Sequence, residues 1–267
     1  MGEPDVDSGA SARTVVEAAL QHQRSTLLVL LVALPAACWT WVILMARDMY
    51  GSMRGAAGWM MTPDWDAPHV LLLWAMWAVM MVAMMLPSAA PVVLLYAGAV
   101  RQRSSLRRPR LHIYLMAAAY IAVWALFSAG ATLLQRWLAR AFVLSPMMEP
   151  ATPVLSAVLL ATAGAYQLTP LKRVCLRSCR SPLAFLMTYW QPGLAGAARM
   201  GARHGVYCLG CCWALMLMLF AGGVMNLAVI LALTVWVLVE KVAPLGERSA
   251  RVVGVLLLAL AAWTLWS

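Results

Sequence analysis

Long apolar runs separated by short basic segments dominate this chain. Several of the runs reach the roughly 20 residues that an α-helix needs to cross the hydrocarbon core of a bilayer. Because backbone polar groups must be hydrogen-bonded within a membrane, such runs predict helices. The runs cover residues 26–46, 70–98, 112–135, 152–170, 205–222, 224–240 and 249–266. We therefore predict an all-α fold, a polytopic transmembrane helical bundle of about seven helices.

The distribution of Lys and Arg predicts the orientation of this bundle. Sixteen of them fall in segments that a seven-helix arrangement places on one side of the membrane, and four fall on the other side. Cytoplasmic loops carry the excess of positive charge, so the N-terminus is predicted to be cytoplasmic and the C-terminus outside. The two segments richest in basic residues are the predicted cytoplasmic loops 99–111 and 171–204, the second of which includes Lys172.

Composition narrows the class of protein further. The 267 residues are 64% hydrophobic and 11% charged, which excludes a soluble globular domain. The net charge of +10 could indicate a nucleic-acid partner, but the arginines lie in short loops and are better explained as topology signals. We expect the lipid bilayer as partner and no nucleic acid. Residues 1–25 are predicted to be a polar tail without a cleaved signal peptide, and residues 26–267 a single transmembrane domain.

The segment HGVYCLGCCWALMLM carries the most unusual chemistry of the chain. At 100° of rotation per residue, His204, Cys208, Cys211 and Cys212 fall within roughly 100° of one helical face. Thiolate and imidazole together suit Cu(I) and zinc. A buried free cysteine is often only a small hydrophobic residue. Three of them beside a histidine favour a metal site over packing.

Two further cysteines precede this segment. Cys175 and Cys179 are four residues apart, so they share a face if their segment is helical. Six cysteines in this arrangement are too few and too clustered for a secreted disulfide framework. In the predicted cytoplasmic segment the thiols would stay reduced and available as ligands.

The second apolar run contains a stripe of methionines. His69, Met76, Met80 and Met84 fall within about 80° on a helical wheel, and Met81 and Met85 lie beside them. Thioethers are soft ligands that would hold Cu(I) weakly. Methionine also fills irregular gaps, so adaptable packing is the competing explanation. Pro87 and Pro91 are predicted to interrupt this helix.

The predicted outer loops place further methionines beside carboxylates, which could collect metal ions. These residues are Met53, Met60, Met61, Asp64, Asp66, Met147, Met148 and Glu149. Elsewhere, Glu240 and Lys241 close the sixth run, and Asn226 is predicted to cap a helix or bond between helices. The sequence has no glycine-rich phosphate loop and no HExxH motif, so we expect no enzymatic activity.

The combination of these motifs resembles a known family. AMMLPSAAP, the CxxxC before SPLAF, GARHGVYCLGCCWALM, AGGVMN and the closing VEK are together similar to a bacterial family of predicted metal-binding integral membrane proteins, sometimes labelled copper chaperones. The resemblance covers Trp74 to Trp266. It implies membrane residence and a metal site at the five clustered cysteines, with Met84 and Met85 before Pro87.

We interpret the chain as a multi-pass protein of a bacterial inner membrane that binds Cu(I) and takes part in its transport or delivery, with zinc as the second metal. A metallochaperone or a membrane oxidase would be the partner, and a homo-oligomer is a further option. One alternative is a thiol-disulfide or electron carrier that uses Cys175 with Cys179 and Cys208 with Cys211. Another is a structural subunit of a larger membrane complex. The candidate metal ligands are His69, Met80, Met84, Met85, Cys175, Cys179, His204, Cys208, Cys211 and Cys212.

Overall fold

Helices follow one another along the described part of the chain. The computed structural model describes residues 25–51, 56–60, 65–101, 108–145, 148–243 and 246–266. Within these residues the only pairing of extended backbone is a single bridge between Leu144 and Pro150. The all-α class is therefore confirmed. The predicted polar tail lies, except for Ser25, outside the described residues.

Twelve α-helices can be numbered in the described residues. They are α1 (Leu34–Met49, which continues a π-helical turn at Val29–Ala33), α2 (Ala56–Met60), α3 (Ala67–Met85), α4 (Ala90–Arg101), α5 (Pro109–Arg140), α6 (Pro153–Gln167), α7 (Pro170–Arg180), α8 (Pro182–Tyr189), α9 (Gly193–Met216), α10 (Met218–Gly222), α11 (Leu227–Val242) and α12 (Gly246–Trp266).

Five helical segments of the described chain are long and apolar enough to cross a membrane. They are Ser25–Met49, α3, α5, the segment Gly193–Gly222 and Glu247–Trp266. Helices α6 and α7 would form a sixth span if they count as one, although the chain bends by 66° between them. Each predicted apolar run contains a helix, and the polytopic bundle is confirmed. The number seven and the orientation stay predictions.

Pro87 causes the break after the second span, because proline has no backbone N–H to continue the helix. Helix α3 ends at Met85, and a 3-10 turn at Pro87–Ala89 leads into α4. The Met85 carbonyl instead accepts hydrogen bonds from the hydroxyls of Ser88 at 2.7 Å and Tyr120 at 2.9 Å. The Ala83 carbonyl, whose helical partner would be the missing N–H of Pro87, accepts from the Trp39 indole at 3.1 Å, so neighbouring side chains satisfy the backbone groups freed at this break. The prediction for Pro91 was wrong, because it lies in the first turn of α4, where proline fits a helix.

The segment 171–204, predicted as a basic loop, is mostly helical. Thr169 caps α7 by accepting a hydrogen bond from the Lys172 N–H at 3.2 Å. Helix α8 follows and is too short to span, as its length predicts. The side chain of Lys172 is fully buried, so it is not an exposed loop charge. Removing Lys172 from the orientation count leaves the excess of basic residues on the same side.

Helix α9 packs along α5 through a pair of glycines four residues apart. A methyl group added at Gly201 would collide with the Met116 backbone, and one added at Gly205 would meet Val123 at 2.9 Å. Small residues at this spacing let two membrane helices approach closely. The close approach fixes the position of the cysteines that follow in α9.

Gly201→Ala is therefore expected to lower the free energy of unfolding by about 1–3 kcal/mol through overpacking. Gly130→Ala is the matched control, since Gly130 lies within α5 with open space around it. It should gain up to about 1 kcal/mol from helix propensity. Unfolding in mixed detergent micelles measures both variants, and equal effects would contradict the close packing.

Candidate metal centre

Helix α9 carries three cysteines into the interior of the bundle. Cys208, Cys211 and Cys212 expose 0, 1 and 1% of their surface. One uninterrupted helix contains all three together with His204, which is also buried. The shared helical face predicted from their spacing is therefore turned to the core. These three thiols therefore point into the bundle and do not face lipid.

Helix α7 brings a fourth cysteine to the same place. The sulfur of Cys179 lies 3.9 Å from that of Cys211, which in turn lies 3.1 Å from the sulfur of Cys212. The Cys211 thiol also donates to the Cys208 carbonyl at 3.1 Å. The structure thus gathers Cys179, Cys208, Cys211 and Cys212 from two helices, and we call them the thiol cluster.

Cys175 shares the buried face of α7 with Cys179, as their spacing predicts. Its sulfur, however, lies against Gly210, where it would be 2.7 Å from a methyl group added to that glycine. Tyr166 closes this side by donating its hydroxyl hydrogen bond to the Gly210 carbonyl. Cys175 is therefore next to the thiol cluster, with its sulfur against Gly210 of α9.

A buried lysine and a tyrosine contact the cluster from other helices. Lys241 of α11 donates to the Cys208 sulfur at 3.0 Å and to the Ser88 hydroxyl at 2.8 Å. The Tyr120 hydroxyl lies 3.1 Å from the same sulfur while it donates to the Met85 carbonyl. These contacts join the end of α3, α5, α9 and α11 around one sulfur atom.

A buried ion pair supports the other side of the cluster. The Lys172 ammonium donates to the Glu240 carboxylate at 2.7 Å and to the Cys211 carbonyl at 2.6 Å. The second carboxylate oxygen of Glu240 accepts from the Gln167 amide at 2.9 Å. Both charged side chains are fully buried. The pair therefore ties α7 and α11 to the backbone of α9 at the cysteines.

His204 lies one turn before Cys208 and is held between aromatic rings. Its ring stacks on Tyr120 with centroids 5.6 Å apart and meets the edge of Phe185 at 5.2 Å. Only 3% of the residue is exposed, and its Nδ1 atom has no hydrogen-bond partner among the described residues. An orphaned ring nitrogen beside thiols is a suitable further donor for a soft metal.

The methionine stripe of α3 is buried in the same core cluster as the cysteines. Met80, Met84 and Met85 are at most 1% exposed, and Met85 connects to Cys208 through Tyr120. His69 lies at the opposite end of α3, between the rings of Trp59 and Trp65. Sixteen residues separate it from Met85, roughly 24 Å along the helix. The structure therefore does not bring His69 to the thiols.

Residues of the outer loops that were predicted to collect metal ions are buried or already hydrogen-bonded. Met60 and Met148 are buried, with 3 and 2% of their surface exposed. The Glu149 carboxylate accepts a hydrogen bond from the Tyr50 hydroxyl at 3.2 Å. Burial and this carboxylate raise the pKa of Tyr50. Four residues of the predicted collector lie outside the described residues: Met53, Met61, Asp64 and Met147.

The thiol cluster can be compared with the geometry of a loaded site. A metal–sulfur bond of about 2.3 Å places two sulfurs about 3.8 Å apart in a tetrahedral site and about 4.6 Å apart in a linear one. The Cys179–Cys211 distance of 3.9 Å fits, whereas the 3.1 Å between Cys211 and Cys212 is too short for shared coordination. In the described part of the chain, no three His, Cys, Asp or Glu side chains already form a metal-binding group. The donors suit a soft metal, and loading would require one thiol to rotate.

Sequence reasoning missed two of the groups that surround the thiols. Tyr120 carries the only hydroxyl group between Leu115 and Phe127, and that isolation was the available signal. Lys172 was interpreted as a loop charge, although its place in the first turn after Pro170 marks it as part of a helix. Glu240 and Lys241 were noted, but their separate partners depend on contacts between distant helices.

Comparison with known protein families gives a match over most of the chain. The model of a protein family described as "Copper chaperone" (PpoB2) matches residues 74–264, a range that contains every candidate ligand except His69. No curated protein and no solved structure matches the chain. The matched range covers well over half of the 267 residues. The chain therefore belongs to the PpoB2 copper chaperone family.

Proposed function

We propose that the protein is a membrane-embedded carrier that binds Cu(I) as its cargo and hands it to a partner, without enzymatic activity of its own. The observation that carries this proposal is the convergence of four cysteines from α7 and α9 in the core. Membership of a family described as copper chaperones supports copper as the metal. Cu(I) prefers the soft thiolate and thioether ligands that meet here.

The buried methionines suggest how the metal reaches the thiols. Met49, Met60, Met76, Met80, Met84 and Met148 belong to the same core cluster as the cysteines. Those of α3 follow the helix from the His69 end towards Met85, which adjoins the Tyr120–Cys208 contact. Thioethers bind Cu(I) weakly and thiolates bind it tightly, so this order favours movement towards the cysteines.

The predicted orientation of the bundle fits delivery of Cu(I) in a bacterial inner membrane. With the predicted orientation, the thiol cluster lies nearer the cytoplasmic side than His69 does. A metallochaperone or a membrane oxidase would then exchange Cu(I) with the cysteines. Zinc remains the second metal that thiolates and an imidazole suit. Competition between Cu(I) and zinc for the purified protein decides between them.

Burial argues against a thiol-disulfide carrier. Exchange requires that an attacking thiolate of the partner reach a sulfur of this protein. Cys208 and Cys211 expose 0 and 1% of their surface. The Cys179 sulfur lies 3.9 Å from that of Cys211, whereas the Cys175 sulfur lies against Gly210, so Cys179 contacts a cysteine of the other predicted pair.

The test is the metal content of the purified full chain after anaerobic loading with Cu(I) and reductant. We expect stoichiometric copper in the wild type and none in the triple variant Cys208→Ser, Cys211→Ser, Cys212→Ser, because serine removes the soft donors. Cys38→Ser is the matched control, since Cys38 is buried in α1 outside the thiol cluster. Elemental analysis measures the ratio.

A wild type without copper, or a triple variant that keeps it, would contradict the proposal. Unfolding of each variant in detergent shows whether a loss of metal reflects a loss of fold. A wild type that binds zinc and no copper would support the metal site but contradict copper as its cargo.

A further inference from the structure

A lateral groove between α3 and α5 lies far from the thiol cluster. Its volume is about 610 Å³, within the range of small-molecule sites. It begins where α3 starts and α5 ends, at Asp66 and Arg136, and it reaches Trp74 and Ala129. Eight residues of α3 separate Asp66 from Trp74, so the groove runs roughly 12 Å along the helices.

The polarity of the groove changes along its length. Charged side chains, Asp66 and Arg136, line the end of the groove at the helix termini. Further along, the walls are apolar, with Val70, Leu71 and Leu133 among them. The indole nitrogen of Trp74 is already occupied, because it donates to the Ala125 carbonyl at 3.0 Å. The Thr132 hydroxyl is likewise occupied, because it donates to the Ser128 carbonyl at 2.9 Å. The groove therefore offers charge at one end and, beyond it, apolar surface with no free donor.

At the charged end, one nitrogen of Arg136 lacks a hydrogen-bond partner among the described residues. Its Nε atom is buried and has no hydrogen-bond partner in the described part of the chain. The guanidinium lies 5.8 Å from the centroid of the Trp65 ring. Neither ion pair formed by the described residues includes Arg136, and the Asp66 carboxylate accepts from the His69 N–H instead. A buried Nε donor on a half-buried guanidinium calls for an anionic acceptor.

We propose that this groove binds one membrane phospholipid, with its phosphate at Arg136 and one acyl chain lying between α3 and α5 towards Trp74. The bilayer presents this combination of an anionic group at the helix ends and a hydrocarbon chain parallel to the helices. Arginine matches phosphate oxygens with its planar fork of donors. Tryptophan at the head-group level, here Trp65, is typical of membrane interfaces.

The experiment uses the full chain, delipidated in mild detergent and titrated with dioleoyl phosphatidylglycerol under native mass spectrometry. We expect one tightly held lipid per wild-type chain and about tenfold weaker binding by Arg136→Gln, the cost of one charge-assisted hydrogen bond. Arg140→Gln is the matched control, since Arg140 is exposed one turn further along α5 and does not line the groove. It should bind like the wild type.

Two further arms separate the head group from the tail. Dioleoylglycerol, which has the same chains but no phosphate, should bind the wild type and Arg136→Gln equally weakly. Ala129→Phe should abolish tight binding by filling the apolar part while Arg136 remains. Equal lipid binding by Arg136→Gln and Arg140→Gln, or dioleoylglycerol binding as well as the phospholipid, would overturn the proposal.

Discussion

Glu240→Gln is expected to lower the free energy of unfolding by about 3–5 kcal/mol, because it leaves a buried ammonium without its carboxylate. Lys172 and Glu240 are both fully buried, with 2.7 Å between the ammonium and the carboxylate. Lys172 retains its hydrogen bond to the Cys211 carbonyl, and Gln167 retains a partner in the new amide. Neither contact replaces the lost negative charge. Equilibrium unfolding in mixed detergent micelles measures the difference.

Glu247→Gln is the matched control for this variant. Its carboxylate also pairs with a cation, Arg177, at 2.5 Å, but the arginine side chain is 68% exposed. Solvent screens such a pair, so its removal should change stability little. A Lys172→Met, Glu240→Leu double variant should recover most of the loss, because no uncompensated charge remains. If Glu240→Gln and Glu247→Gln unfold alike, the buried ion pair is not a strong structural element.

The same variants test whether the ion pair positions the thiols. Lys172 precedes Cys179 in α7 and bonds to the backbone of Cys211 in α9. Loss of the ion pair should therefore loosen the contact between the Cys179 and Cys211 sulfurs. The double variant separates the two roles, since it recovers stability but removes the bond to the Cys211 carbonyl that Glu240→Gln keeps. If the copper content of the double variant stays low although its stability has recovered, Lys172 and Glu240 position the thiols.

Helical periodicity predicted much of the candidate site before any contact was known. The spacing of Cys208, Cys211 and Cys212 predicted one shared face, and α9 turns that face to the core. Asn226 was predicted as a cap or an interhelical bond, and its side chain accepts from the N–H groups of Ala228 and Val229. Such features depend on neighbours within one turn of the chain. A pattern of residues is sufficient to predict them.

Contacts between distant segments could not be predicted in this way. Lys241 and Ser88 are 153 residues apart, and Tyr120 and Cys208 are 88 apart. Periodicity shows which face of a helix is buried but not which helix covers it. Lys172 was misplaced for a related reason, since a lysine among arginines resembles a loop charge until a buried partner is known. Glu240, 68 residues away, is that partner.

Lys241→Met is expected to weaken Cu(I) binding by about a hundredfold or more, since balancing a buried charge is worth several kcal/mol. Two thiolates and one Cu(I) carry a net negative charge, and further thiolates would increase it. The Lys241 ammonium, which contacts the Cys208 sulfur at 3.0 Å, is the cation that can balance this charge. It forms neither of the two ion pairs among the described residues. Competition with a chromophoric Cu(I) chelator measures the affinity.

The opposite sign is the informative alternative. If repulsion between the ammonium and the incoming metal ion dominated, Lys241→Met would bind Cu(I) more tightly than the wild type. Ser88→Ala is the matched control, because it removes the other hydrogen-bond partner of Lys241 and leaves the charge in place. The Cu(I) affinity of Ser88→Ala should change far less than that of Lys241→Met. The sign of the Lys241→Met effect thus decides whether the site stabilises copper as an anionic thiolate complex or merely tolerates a lysine beside its sulfurs.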